Sequence, residues 1–199
     1  APRDGTTRDA AVAGSRTREV SRAAFRLGVL YQQAGDHARA VEQYRAQLAA
    51  EPWDVATLNN LGVSLRHLGQ LAEAADALER ALAIEPGYDK ALTNLGVVRQ
   101  LLDRSEAAME AHLRALAVNG RSWESALNLG LLLWEAQDVE RAAHFFRTVL
   151  SLRRNGTAAY HLGVIAERQG RSQDGVELYR QALQTPESLP ASLRIGAEE

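Results

Sequence analysis

Three asparagines, Asn60, Asn94 and Asn128, recur at intervals of 34 residues. A carboxamide carries donors and an acceptor in one plane. Set in a row along one face, such groups suit the main chain of an extended peptide, which offers the complementary groups whatever its side chains are. The same register holds Arg26 one period earlier, His161 one period later and Arg194 near the end of the chain. Beside it runs an aliphatic series, Val29, Val63, Val97, Leu131 and Val164. Trp134 stands at helical spacing from Leu127 and Leu131, with Leu101 of the preceding period nearby, and Trp is a frequent interface anchor. The candidate binding residues are therefore Arg26, Asn60, Asn94, Asn128 and His161 for polar contacts, and Val63, Val97, Leu101, Leu131 and Trp134 for apolar ones. Structural alternatives stand beside this reading. The asparagines could bond a neighbouring repeat or simply solvate a helix, and the apolar series could belong to the core.

Catalytic chemistry finds no foothold. The five histidines, His37, His67, His112, His144 and His161, fall in different registers, and none forms the His-Glu-x-x-His zinc motif. There is no Gly-rich phosphate loop and no Gly-x-Ser-x-Gly elbow. The lack of cysteine removes disulfides, thiolate metal sites and cysteine nucleophiles together. No enzyme activity, metal or cofactor is expected.

Charge narrows the partners. With 23 Lys and Arg against 25 Asp and Glu, the chain lacks the basic excess that attracts nucleic acid or an anionic membrane. Its apolar runs fall far short of the ~20 residues needed to cross a bilayer. The first twenty residues lack the apolar core of a signal peptide. Absence of cysteine suits cytoplasm or periplasm, with cytoplasm favoured. All basic residues but Lys90 are arginine, a bias read as G+C-rich coding and hence a bacterial source.

The elements that must position these groups follow from a repeat. Leu-Gly pairs recur at Leu27-Gly28, Leu61-Gly62, Leu95-Gly96, Leu129-Gly130 and Leu162-Gly163, with glycine spacings of 34, 34, 34 and 33. Twelve residues after each glycine comes a small residue (Ala40, Ala74, Ala108, Ala142, Gly175), and four later a large one (Tyr44, Leu78, His112, Phe146, Tyr179). Within the period Leu58, Leu61 and Leu65 share one helical face, and Leu71, Ala74, Leu78 and Leu82 another. Gly35, Gly69 and Gly170 mark a tight turn between these helices, where Asp103 and Gln137 stand in for glycine at a cost if φ is positive. Pro52 and Pro86 close their periods at equivalent places, Gly120 stands in for a third proline, and Pro186 falls one residue early. The glycine of each Leu-Gly pair lets paired helices approach closely, with the small residue opposite.

This pattern resembles the tetratricopeptide repeat, whose signature runs Leu-Gly, Tyr, Ala, Phe and Pro across such a period. Leu27, Gly28, Tyr31, Ala40, Tyr44 and Pro52 carry the fullest match. The resemblance implies an all-α fold, a right-handed α-solenoid of about five helix-turn-helix repeats with a partial sixth, the first helix of each pair lining a concave side. Counted from Ser21, Val55, Asp89, Trp123 and Gly156, the second, sixth, ninth and thirteenth positions should face that groove. The asparagines fall at the sixth, similar to the asparagine ladder of the repeat region of O-linked N-acetylglucosamine transferase. A clamp for chaperone C-termini, found in a related subgroup, is disfavoured: Asn60 and Lys90 fit it, but Phe25, Val29 and Asn94 occupy its other places.

The expected organisation is a polar lead-in over 1–20 with a short helix after Asp9, repeats over 21–54, 55–88, 89–122, 123–155 and 156–189, and over 190–199 the first helix of a truncated sixth. The expected function is a non-catalytic scaffold holding a protein or peptide segment in its groove. Arg18, Arg22 and Arg26 gather at one end of that groove, and His161 and Arg168 towards the other. One alternative is a substrate-recruiting segment of a larger enzyme such as a glycosyltransferase, suggested by the unfinished last helix. Another is self-association through the terminal helices, because solenoid ends need a polar cap.

Overall fold

The structure, a computed structural model, describes residues 5–185 and the side chains of residues 19–185. All its regular elements among the described residues are helices: α1 (Gly5–Gln33), α2 (His37–Ala50), α3 (Val55–His67), α4 (Leu71–Ile84), α5 (Asp89–Leu101), α6 (Ser105–Val118), α7 (Trp123–Glu135), α8 (Val139–Leu152), α9 (Gly156–Arg168) and α10 (Ser172–Leu183). The chain divides after Arg104 into two compact units, α1–α5 and α6–α10.

Local chemistry punctuates the helices. Asp36, Asp54, Ser122, Asp138 and Asn155 each accept a hydrogen bond from the backbone N–H three residues on, satisfying a donor that the first turn leaves orphaned. At the other end α1, α3, α5, α7 and α9 all finish the same way. Beyond α3, Gly69 N–H donates to Arg66 O at 3.0 Å and Gln70 N–H to Leu65 O at 3.0 Å. These two bonds define a Schellman cap, which places its central residue in the left-handed region. The central residues are Gly35, Gly69 and Gly170, with φ of 77°, 75° and 73°, and also Asp103 and Gln137, with φ of 56° and 62°. The positive φ foreseen as costly at Asp103 and Gln137 is therefore present.

The 33-residue spacing has a local origin. The connections α2–α3, α4–α5 and α6–α7 are four residues long (51–54, 85–88, 119–122), whereas α8–α9 is three (153–155). The dropped residue falls in a loop, where it leaves helical phase undisturbed.

One element differs from its expectation. Ser21 does not open a helix after a lead-in bearing a short one; it lies inside α1, which runs unbroken from Gly5. Residues 9–18 hold three alanines and two arginines and no proline, so a helix anchored downstream propagates through them at one hydrogen bond per residue. Ser21 is buried, and its hydroxyl bonds Gln47 of α2 and Glu51, the residue that caps it, tying the middle of α1 to its neighbour. The expected partial sixth repeat lies outside the described residues.

In the first unit Tyr44, Leu58, Leu65, Leu78, Leu92 and Leu95 form the deepest side chains. In the second, Leu129, Leu133, Phe146, Val149, Leu162 and Ile165 make one cluster. Hairpins α1–α2, α3–α4, α7–α8 and α9–α10 close at their Leu-Gly pairs. A Cβ on Gly28 would stand 2.6 Å from Tyr44 Cε1, one on Gly130 2.8 Å from Phe146 Cε1, and one on Gly163 2.7 Å from Tyr179 Cε1. The residue pressed onto each glycine is thus the large one sixteen positions later. The small residue is the second tight contact: a Cβ on Gly62 would lie 3.2 Å from Ala74 O. In α6 the large place is taken by His112, fully buried, and burial lowers its pKa to about 4.

Three outcomes follow for urea or thermal unfolding. Gly130→Ala loses about 1–3 kcal/mol despite alanine's better helix propensity, and adding Phe146→Leu recovers part of it in a double-mutant cycle. Gln137→Gly gains about 0.5–1 kcal/mol, and Asp103→Gly less, since Asp tolerates the left-handed region better than Gln. For His112 the folded state rejects a proton that the unfolded chain binds below its ordinary pKa of about 6.5, so stability is full above that pH. It falls as pH drops from about 6.5 to about 4, by about 3 kcal/mol in all, and His112→Leu flattens that slope.

Candidate functional site

In the first unit the sixth-position asparagines belong to a hydrogen-bonded chain. Asn94 Nδ2 donates to Asn59 Oδ1 at 2.9 Å, and Asn59 Nδ2 donates to Asn60 Oδ1 at 3.3 Å. The Asn60 side chain also bonds the Tyr44 hydroxyl. That hydroxyl donates to Gln32 Oε1 at 2.6 Å. Burial pushes the Tyr44 pKa up to about 12, against the opposing pull of the Asn60 bond, so the group is a neutral phenol that donates at any physiological pH. The chain links α1, α2, α3 and α5, and it engages Asn60 from two directions. Asn94 spends a donor in it, while its Oδ1 accepts from no described residue. Asn59, buried, is the member that sequence reasoning passed over. A second carboxamide directly before the sixth-position one, the Asn59-Asn60 pair, was its visible signal.

Beside this chain Val63 and Val97 are half-buried, Leu101 is exposed at the C-terminal end of α5, and Arg26 is exposed on α1. Arg22 and Lys90 are exposed at the second position of their periods. The side chain of Arg18 lies outside the described residues.

The second unit is built on aromatic contacts. Asn128 is half-buried and makes no side-chain hydrogen bond to a described residue. Leu131 and Trp134, one turn apart on α7, pack partly against the core cluster. His161 of α9 stacks on Phe146, ring centroids 5.0 Å apart and planes within 9°, and meets Trp134 edge-on at 5.2 Å. Its Nδ1 is buried without a hydrogen-bond partner, and burial lowers its pKa, which keeps the ring neutral at neutral pH. Arg168, two turns further along α9, holds its guanidinium 5.0 Å from the centre of the Trp134 ring. Sequence spacing placed Trp134 with Leu131; the contact between Trp134 and His161 crosses from one hairpin to the next and required the fold.

Other surface features lie away from these residues. A cleft of about 400 Å³ between α2, α3 and α4 is lined by Leu61, Leu65, Ala77 and the ion pair Arg45–Glu73, whose atoms approach to 2.7 Å. A cleft of about 350 Å³ in the second unit runs past Leu150, Ala159, Glu177 and Gln181. Neither includes a sixth- or ninth-position residue. His37 and His67 stack face to face at 4.2 Å, with planes within 1°. Parallel stacking points the nitrogens of both rings outward rather than towards a shared ion, and no cluster of three metal-ligating side chains occurs among the described residues. No described helix is long and apolar enough to cross a membrane.

Comparisons with known proteins agree with this architecture. The crystal structure of MamA protein superposes with a TM-score of 0.71 over 85% of this chain and 93% of that one, at 24% identity. A second MamA crystal structure gives 0.70 over 81% and 95%, at 25% identity. A MamA fragment from Desulfovibrio magneticus RS-1 gives 0.72 over 86% and 98%, at 16% identity. No curated protein sequence matches. The family model for the tetratricopeptide repeat matches residues 10–89, 95–156 and 127–190. With that match along most of its length, and with all-helical hairpins beneath it, the chain belongs to the tetratricopeptide repeat family, an architecture of the protein-interaction scaffold type.

Proposed function

We propose that the chain is a non-catalytic scaffold that holds an extended peptide or partner segment against the inner face of its first-position helices. The observation that carries this reading recurs within each unit: half-buried aliphatic side chains accompany a carboxamide that keeps unspent bonding capacity, Val63 and Val97 with Asn94 in the first and Leu131 with Asn128 in the second. Such a surface removes apolar area from water when covered and still satisfies a backbone laid across it. Asn60 has a different part: bound to both Asn59 and Tyr44, it braces the face rather than gripping the ligand. Trp134, flanked by Leu131, receives an apolar side chain of the segment.

Peptides selected from a random displayed library on the whole protein test this division of labour. Asn94→Ala with Asn128→Ala weakens their binding by about tenfold, the loss of two net hydrogen bonds, while far-ultraviolet circular dichroism stays helical. Asn60→Ala instead lowers the unfolding midpoint. Unchanged affinity in the double variant overturns the assignment.

A further inference from the structure

Resting on the groove reading above, we infer that the second unit selects for one carboxylate adjoining an apolar residue in the bound peptide, read by Arg168 from its platform on Trp134. The guanidinium lies 5.0 Å from the indole centre, so the ring holds it from one side. A guanidinium held over a ring still has N–H groups to offer, in the planar fork that a carboxylate accepts in bidentate fashion. Arg168 also lacks an acidic partner within ion-pair distance among the described residues, unlike Arg141, Arg171 and Arg180, which pair with Asp138, Asp174 and Glu177 on the second-position helices. The nearest acid in sequence, Glu167, accepts the Tyr179 hydroxyl at 2.9 Å. The platform is itself buttressed: Trp134 rests edge-on against His161, and His161 lies flat on Phe146. A cation is thereby held in place with no carboxylate of the described residues within ion-pair distance.

The surroundings define what else the ligand presents. Leu131 and Trp134 form an apolar shelf one turn long beside the cation, suited to an aliphatic or aromatic side chain next to the acid. Glu135, exposed directly after Trp134, repels a second carboxylate on the α7 side. The preference is therefore for a single acid beside an apolar residue, not for an acidic tract.

The test uses the whole protein and the displayed random library. Selected sequences should carry one Asp or Glu within two residues of Leu, Phe, Tyr or Trp. Synthetic amidated peptides of the best sequence, with Glu or with Gln at that place, should differ about tenfold in Kd, and a peptide ending in a free carboxylate there separates a chain terminus from a side chain as the source. Arg168→Gln should erase the Glu-over-Gln preference, while Arg168→Lys, which keeps charge but not the planar fork, should restore only part of it. The Trp134 indole N–H resonance should shift on titration with the Glu peptide. Equal binding of Glu and Gln peptides, or full discrimination by Arg168→Gln, overturns the carboxylate assignment. If those peptides still lose affinity in the Asn94→Ala, Asn128→Ala double variant, the groove itself stands. If no selected peptide depends on either set of residues, both readings fall.

Discussion

The fit of a large side chain onto a missing one is the contact from which the rest of the architecture follows. Gly28, Gly62, Gly130 and Gly163 each lie where a Cβ would come within 2.6–2.8 Å of Tyr44, Leu78, Phe146 or Tyr179. Interiors pack to crystal-like density, so a methyl group cannot be accommodated there without moving a ring or a helix. The contact fixes the two helices of a hairpin at one separation and rotation. Within each unit the lock recurs one period later, at Gly28 and Gly62 in the first and at Gly130 and Gly163 in the second. Helix propensity and capping make the segments helical, but this fit turns helices into a hairpin of defined geometry.

The same contact governs the polar character of the inner face. Where the pressed residue is Tyr44, a buried hydroxyl must be satisfied, and it draws in Gln32 and Asn60, which then organise Asn59 and Asn94. Where it is Phe146, there is no hydroxyl to satisfy. The residue arriving from the next hairpin at the same register, His161, stacks on the ring instead and supports Trp134. The phenol of Tyr44 against the phenyl of Phe146 thus accompanies a hydrogen-bonded sixth position in the first unit and an aromatic one in the second. The sixth-position side chains are equivalent in sequence yet differ in role because of what lies beneath them.

The hairpin turn shows the opposite situation, a geometry imposed regardless of the residue. All five first-position helices end in the same cap, and the chain adopts positive φ there whether the residue is glycine, Asp103 or Gln137. Two backbone hydrogen bonds and the packing of both helices outweigh a strain on the order of 1 kcal/mol. Tertiary context wins over local preference because the turn has no room to lengthen: each of these connections is three residues.

The sequence by itself determined the period, the helical hairpin, the glycine that admits close approach, the turn that would need positive φ and the register that carries asparagine. Each of these is a local or strictly periodic property, recorded in residue type at fixed spacing. Only the tertiary structure decided which polar and aromatic groups meet across hairpins: that Asn60 is engaged by Tyr44 and Asn59, that Asn59 is buried, that His161 supports Trp134, and that Arg168 is held over that ring. Those outcomes depend on distances of a few ångströms between side chains up to 35 residues apart in the chain, at which hydrogen bonds and ring contacts either form or do not. The long first helix belongs to the same class. Its polar early residues read as a separate lead-in, and their helicity came from growth off an anchored helix rather than from an amphipathic pattern of their own.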